Sequence, residues 1–229
     1  MCETQQRWLA AVTFAIAIGS AAVSGAADPV LCDDPGFRVD AADVSEQDVV
    51  CAAAADARRA LETCGLAQTA PITIEVVDSP IHNIGQCLAA FDCERDRIQI
   101  IGRTLLRKYL EPEDAYAALP DDVVFRSLLT HEMAHAFVSQ MSGDRRIAPV
   151  DHEYIANALE LKALAPADRY VLLDAVDLEP PITAGEINIF IYGIAPRRFA
   201  AAAYLYFENH GCETIAGILD GSASFRVEE

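Results

Sequence analysis

The segment His131-Glu132-Met133-Ala134-His135 has residue types and spacing suited to metal-assisted hydrolysis. Positions i and i+4 of a helix share a face, so His131 and His135 would direct their imidazoles to one point. Two neutral imidazoles form half of a tetrahedral zinc site. Glu132 is offset from that point and could take a proton from a zinc-bound water without being a ligand. The spacing therefore predicts Zn²⁺ held by the two histidines, with Glu132 as general base.

The motif lies in a predicted helix that covers about residues 122–140. Pro120-Asp121-Asp122 is a start signal, with acidic side chains at the positive end of the helix, and Gly143 follows its predicted end. The histidines continue an inward-facing apolar stripe with spacings of four and three, formed by Val124, Leu128, His131, His135 and Val138. Two core histidines with ordinary hydrogen bonds are the alternative, but the motif on a helix favours metal binding.

A catalytic zinc needs a third protein ligand and one open position. The downstream candidates are His152, Glu153, Glu160 and His210. Glu153 is favoured because the loop 142–150 can turn the chain and bring the next predicted helix, about 152–164, beside the first. His152 would point to a different face of that helix. Asn157 follows Glu153 by one turn and could orient a metal-bound histidine. The alternative role for Glu153 is a carboxylate stabilised by the helix dipole.

HEMAH followed by Glu153 on the next helix resembles the gluzincin branch of zinc metallopeptidases, the thermolysin-like architecture. It also resembles small exported bacterial zincin-like proteins with no assigned substrate. The resemblance covers about residues 97–165. It implies His131, His135 and Glu153 as zinc ligands, Glu132 as general base, and a peptide or protein as substrate. It further implies that residues 97–101 form an edge strand that pairs with substrate backbone.

The sequence departs from the thermolysin-like pattern at two places. Asn157 stands where that pattern has an aspartate one turn after the ligand glutamate. No motif identifies the downstream side chain that stabilises the oxyanion, and four candidates stay open, which are Tyr192, Tyr204, Tyr206 and His210.

The order of predicted elements indicates an α+β, zincin-like fold: a small N-terminal sheet, the active-site helix, then a mainly helical part. Residues 72–77 are rich in β-branched side chains and predict a strand, and residues 85–91 and 97–101 predict two more. A helix is predicted from Ser45, as its N-cap, to Gly65. Residues 28–44 are predicted to be irregular. We expect one catalytic domain over residues 28–229, strand-bearing to about 118 and helical from about 119.

Residues 1–27 have the form of a secretory signal peptide, which predicts a periplasmic or secreted protein. An uncleaved anchor is the alternative, but the apolar run 8–23 is short for a membrane span. Six cysteines remain after the signal, an even number typical of disulfides in an exported chain. Cys51 and Cys64 would lie far apart on one helix, which excludes that pair. Cys87 and Cys93 flank a predicted hairpin and are the preferred local pair.

The formal net charge of −18 argues against nucleic acid and against anionic membrane surfaces as partners after signal cleavage. The predicted function is a zinc-dependent peptide-bond hydrolase in which Glu132 activates a zinc-bound water. The competing hypothesis is a non-catalytic, zinc-binding scaffold with a zincin-like fold. A structural zinc should be closed by a fourth protein ligand and would have no need of Glu132.

Overall fold

A computed structural model describes residues 29–81 and 87–226 of the chain. Its strands are β1 (Val30–Leu31), β2 (Phe37–Asp40), β3 (Ile72–Val77), β4 (Ala89–Asp92) and β5 (Arg97–Ile101). Its α-helices are α1 (Val44–Glu62), α2 (Leu106–Tyr109), α3 (Asp121–Ser142), α4 (Pro149–Ala163), α5 (Pro166–Asp174), α6 (Ile189–Ile194), α7 (Pro196–His210) and α8 (Cys212–Asp220). Short 3-10 helices cover Arg103–Leu105, Ala115–Ala118 and Ala184–Glu186. The predicted α+β arrangement, sheet first and helices after, is confirmed. The predicted signal peptide lies outside the described residues.

The strands form one sheet in the order β1-β2-β3-β5-β4. β2, β3 and β5 are parallel neighbours, whereas β1 and β4 pair antiparallel at the two edges. The prediction that residues 97–101 form an edge strand is wrong, because β4 folds back and covers the outer side of β5. The turn after Asp92 places Asp92 opposite Arg97, so β4 takes the edge position. The free edge that faces α3 therefore belongs to β4.

The helix α4 is buried on almost every side, from Val150 to Leu161. It packs between α3 and α7, while α3 also contacts α1 and β4. An apolar helix that is covered all round belongs to a core rather than a surface. Buried apolar side chains from the sheet and from the helical part join in one cluster, so both parts share a core. Within the described ranges, no helix has the length and hydropathy to cross a bilayer.

The start of α1 differs from the prediction. Asp43, not Ser45, is the N-cap, and its carboxylate accepts the backbone N–H of Glu46 at 2.8 Å. The Ser45 hydroxyl donates to the same carboxylate at 2.7 Å. Aspartate is as good an N-cap as serine, so local propensity did not separate the two. Gly65 has a φ of +78° just after the helix, as predicted for a glycine that ends it.

Two disulfides join α1 to other elements of the fold. Cys32–Cys51 ties the segment between β1 and β2 to α1, and Cys64–Cys212 ties the chain after α1 to the start of α8. The exclusion of a Cys51–Cys64 pair is confirmed. The predicted Cys87–Cys93 pair is wrong, because the Cys87 thiol is free. These residues lie at the two ends of the extended strand β4, and six extended residues span roughly 20 Å, beyond the reach of a disulfide.

We expect the long-range disulfide to contribute more stability than the short-range one. The cross-links span 148 and 19 residues of sequence. Loop-closure entropy then predicts that C64S/C212S lowers the free energy of unfolding by about 2 kcal/mol more than C32S/C51S. Denaturant unfolding of both double variants, read by circular dichroism, measures the difference. If the two double variants lose equal stability, or if C32S/C51S loses more, then residual structure or packing, rather than chain entropy, dominates the effect of the disulfides.

Candidate metal centre

The contact between α3 and α4 brings the three predicted ligands together. His131 and His135 lie one turn apart on α3, with their Nε2 atoms 3.1 Å from each other. Gly143, at a φ of +54°, ends α3 and allows the chain to turn back, so that α4 runs beside it. Glu153 then faces both rings. Its Oε2 is 3.6 Å from His131 Nε2, and its Oε1 is 3.7 Å from His135 Nε2.

These separations suit a divalent ion. A tetrahedral zinc with bonds near 2.0–2.1 Å would hold its ligand atoms about 3.3 Å apart, and the three distances lie on either side of that value. Two Nε2 atoms in contact, with a carboxylate on the same side, also form an unfavourable arrangement unless a proton or a cation lies between them. The donor set of two imidazoles and one carboxylate is that of catalytic zinc sites. The residues His131, His135 and Glu153 therefore fit a metal ion.

The second nitrogen of His131 is held by Glu160, which sequence reasoning had considered only as a ligand. His131 Nδ1 donates to Glu160 Oε2 at 2.9 Å, which leaves Nε2 free to bind a metal. The other oxygen of Glu160 accepts the Ser127 hydroxyl at 2.6 Å and the Tyr116 hydroxyl. Glu160 follows Glu153 by seven residues, almost two helical turns, so the helical spacing was a signal that could have placed both on one face.

Asn157 does not orient a histidine as predicted. Its side-chain amide donates to the backbone carbonyl of Glu153 at 2.8 Å and faces the Glu153 carboxylate at 3.4 Å. Asn157 therefore positions the Glu153 carboxylate, while Glu160 orients His131. His152 lies outside the three-residue cluster, with its ring 5.7 Å from that of His135, and burial lowers its pKa to about 4.

One of the four oxyanion candidates reaches the site. The Tyr192 hydroxyl on α6 lies near the Glu153 carboxylate, and burial followed by the charge of Glu153 raises the pKa of Tyr192. Tyr206 and His210 stack on each other with ring centroids 3.8 Å apart near the end of α7. Tyr204 packs under the guanidinium of an arginine of α5. Tyr192 is thus the candidate that borders the cluster.

The site concentrates ionisable groups in a buried volume. Burial alone would lower the pKa of His131, but its hydrogen bond and charge interaction with Glu160 outweigh this and raise the pKa to about 9. Burial would raise the pKa of Glu160, yet the contacts with His131, Ser127 and Tyr116 lower it. Burial and the charge on His131 lower the pKa of His135 well below its usual range. His131 and Glu160 are therefore an ion pair when no metal is bound.

Glu132 is poised to exchange a proton near neutral pH. Its side chain is buried, and this burial raises its pKa to about 7. The charge on His131 opposes the shift, Glu153 reinforces it, and the nearby Phe91 backbone amide of β4 lowers the pKa again. Glu132 therefore lies close both to the cluster and to the edge strand β4.

The cluster has three protein donor groups among the described residues. Among residues 29–81 and 87–226, the donor atoms that converge come from His131, His135 and Glu153, and no further histidine, cysteine or carboxylate joins them. Zinc sites with three protein ligands and an open position are catalytic, whereas structural zinc sites are closed by four.

The fold and the cluster define an α+β protein with a candidate metal centre at a helix–helix contact. The chain belongs to a family of unknown function, DUF6639, whose profile matches residues 37–228. No curated protein and no solved structure matches the chain. The matched range includes every residue of the cluster, so the candidate centre lies inside the part that defines the family.

We expect metal binding to displace a proton from His131. Because its pKa is raised to about 9, the metal-free chain holds a proton there at pH 7 that an unfolded chain, with a histidine pKa of about 6.5, would not hold. The stability of the metal-free chain should therefore fall between pH 6.5 and 9, while zinc affinity should rise over the same range.

Calorimetric titration with zinc in two buffers of different ionisation enthalpy measures this release, expected to be about one proton per ion at pH 7. A zinc affinity that is unchanged between pH 6.5 and 9, with no proton released, would contradict the ion pair between His131 and Glu160.

Proposed function

We propose that this protein is a zinc-dependent peptide-bond hydrolase, with His131, His135 and Glu153 as metal ligands and Glu132 as general base. The observation that carries the proposal is the open three-ligand cluster with a buried carboxyl beside it. A structural site would need a fourth protein ligand and would gain nothing from Glu132. Glu132 is buried and forms no ion pair within the part of the chain that the structure describes, which is unfavourable and points to a role in chemistry.

Zinc, when bound, lowers the pKa of a water molecule and polarises a carbonyl group. Glu132 supplies the proton transfers. Its carboxylate takes a proton from the attacking water, and the resulting carboxylic acid then gives a proton to the leaving amine. A pKa of about 7 allows both directions of transfer near neutral pH. Tyr192 lies near Glu153, so it is the oxyanion candidate best placed to meet a substrate carbonyl.

The free edge of β4 supports a peptide as the substrate. β4 is half-buried and, among the described strands, pairs with β5 alone; its Phe91 backbone amide lies near Glu132. An extended peptide could add to such an edge through main-chain hydrogen bonds. The role that the resemblance implied for residues 97–101 thus passes to Ala89–Asp92. The two disulfides favour an oxidising compartment, so a periplasmic or secreted location is part of the proposal.

We expect E132Q to retain zinc and to lose hydrolysis. Glutamine keeps the size of the side chain but cannot accept the proton, and loss of a general base lowers the rate by about 100- to 10,000-fold. Zinc content by mass spectrometry and cleavage of a peptide library, with and without chelator, are measured on the same preparations. E111Q, at an exposed position outside the site, is the matched control and should behave as wild type.

Undiminished cleavage by E132Q would rule out Glu132 as the base. A wild-type chain that binds zinc stoichiometrically and cleaves none of the library peptides would instead favour the non-catalytic scaffold.

A further inference from the structure

A chain of contacts runs from His131 through Glu160 to the N-terminal end of α7. After Glu160, the next member of this chain is Tyr116, whose hydroxyl donates to Glu160 from the 3-10 helix Ala115–Ala118. Tyr116 is fully buried, and the guanidinium of Arg197 stacks on its ring with Cζ 3.9 Å from the centroid. Arg197 belongs to the first turn of α7, far in sequence from either metal-binding helix.

Asp114 fixes both members of this stack. Its carboxylate binds Arg197 through two nitrogens, with Nη2 to Oδ2 at 2.8 Å and Nε to Oδ1 at 3.1 Å. The same carboxylate accepts the backbone N–H of Tyr116 at 2.9 Å and so caps the short helix that carries the tyrosine. A bidentate arginine–carboxylate pair has a defined geometry. Asp114 therefore sets the position of the ring and of the cation above it together.

The stacked cation affects the hydrogen bond that Tyr116 makes. A guanidinium over an aromatic face is attracted to the ring electrons and draws density from them. The tyrosine hydroxyl then becomes a stronger donor to Glu160, and hydrogen bonds in a buried chain strengthen one another. Glu160 is held on both oxygens, by Tyr116 and Ser127 on one and by His131 on the other. Its orientation is thus determined before a metal arrives.

We propose that Arg197 and Tyr116 are positioning residues that act through Glu160 to set the metal affinity of His131. The inference rests on the proposed metal site, but not on hydrolysis. Groups that hold the second nitrogen of a ligand histidine fix its orientation and raise its basicity, and their loss weakens metal binding by about 10- to 100-fold. Arg197 adds a residue of a third helix, α7, to the groups that position His131. The helix α7 thus contributes to the metal site although it provides no ligand.

The test measures zinc affinity by competition with a chromophoric chelator. We expect E160Q to lower affinity by about 10- to 100-fold. Y116F removes the hydroxyl and keeps the ring, and R197Q removes the stacked cation; each should lower affinity by roughly 3- to 10-fold. R198Q changes the neighbouring exposed arginine, which donates to the backbone carbonyl of Asp177, and is the matched control. Its affinity should equal that of wild type.

The decisive measurement is a double-mutant cycle. If Arg197 and Tyr116 act through Glu160, then R197Q and Y116F made in an E160Q background should change zinc affinity by less than about twofold. Additive losses would show separate structural effects and overturn the inference, as would Y116F and R197Q affinities equal to wild type. If R197Q does not fold, the zinc affinity of Y116F, alone and in the E160Q background, still tests the inference. A wild-type chain that binds no divalent metal would overturn the metal site itself.

Discussion

The burial of several ionisable side chains between α3 and α4 is the constraint on which the site depends. Glu132, Glu153 and Glu160 are nearly inaccessible to solvent and lie against His131 and His135. Isolated buried charges are strongly unfavourable, so such a cluster persists only when protons, hydrogen bonds or a cation compensate them. His131 compensates Glu160 directly. The Glu153 carboxylate faces the two Nε2 atoms, and a divalent cation at that point would balance its charge.

The rest of the fold makes this burial possible. α1 packs against α3 and α7 packs against α4, so the apolar contacts of these helices bury the facing sides of α3 and α4. β4 ends the sheet beside α3 and leaves its outer backbone groups unpaired with any described strand. The two disulfides tie the chain around α1 to β1–β2 and to α8.

Local spacing was sufficient for the centre of the site. His131 and His135 needed only a helix, and Glu153 needed only a second helix beside the first, so the sequence pattern predicted all three. The strand Ile72–Val77 could also be predicted from local sequence, because its run of β-branched residues lies between turn residues. The general α+β order followed from such segments. These features depend on neighbours within a few residues of each other.

The contacts that sequence reasoning missed are those between distant segments. β2 forms because it pairs with β3 more than thirty residues later, and its own four residues carry a weak signal. The edge position of β4 depends on which strand lies outermost in the sheet, which no local pattern reports. Tyr116 reaches Glu160 from 44 residues away, and Arg197 binds Asp114 across 83 residues. The Cys87–Cys93 error had the same origin, since strand geometry rather than sequence proximity decided it.

The geometry of α4 explains why asparagine can stand at position 157. Glu153 and Glu160 lie about 10 Å apart along the helix axis, but Cβ bonds tilt toward the helix N-terminus, so Glu160 reaches back to the ring that Glu153 also faces. One helix thus presents a carboxylate to each nitrogen of His131. A third carboxylate at position 157 would repel Glu153 at close range, whereas the Asn157 amide donates to it. With Glu160 orienting the histidine, an amide is the better neighbour for the ligand carboxylate.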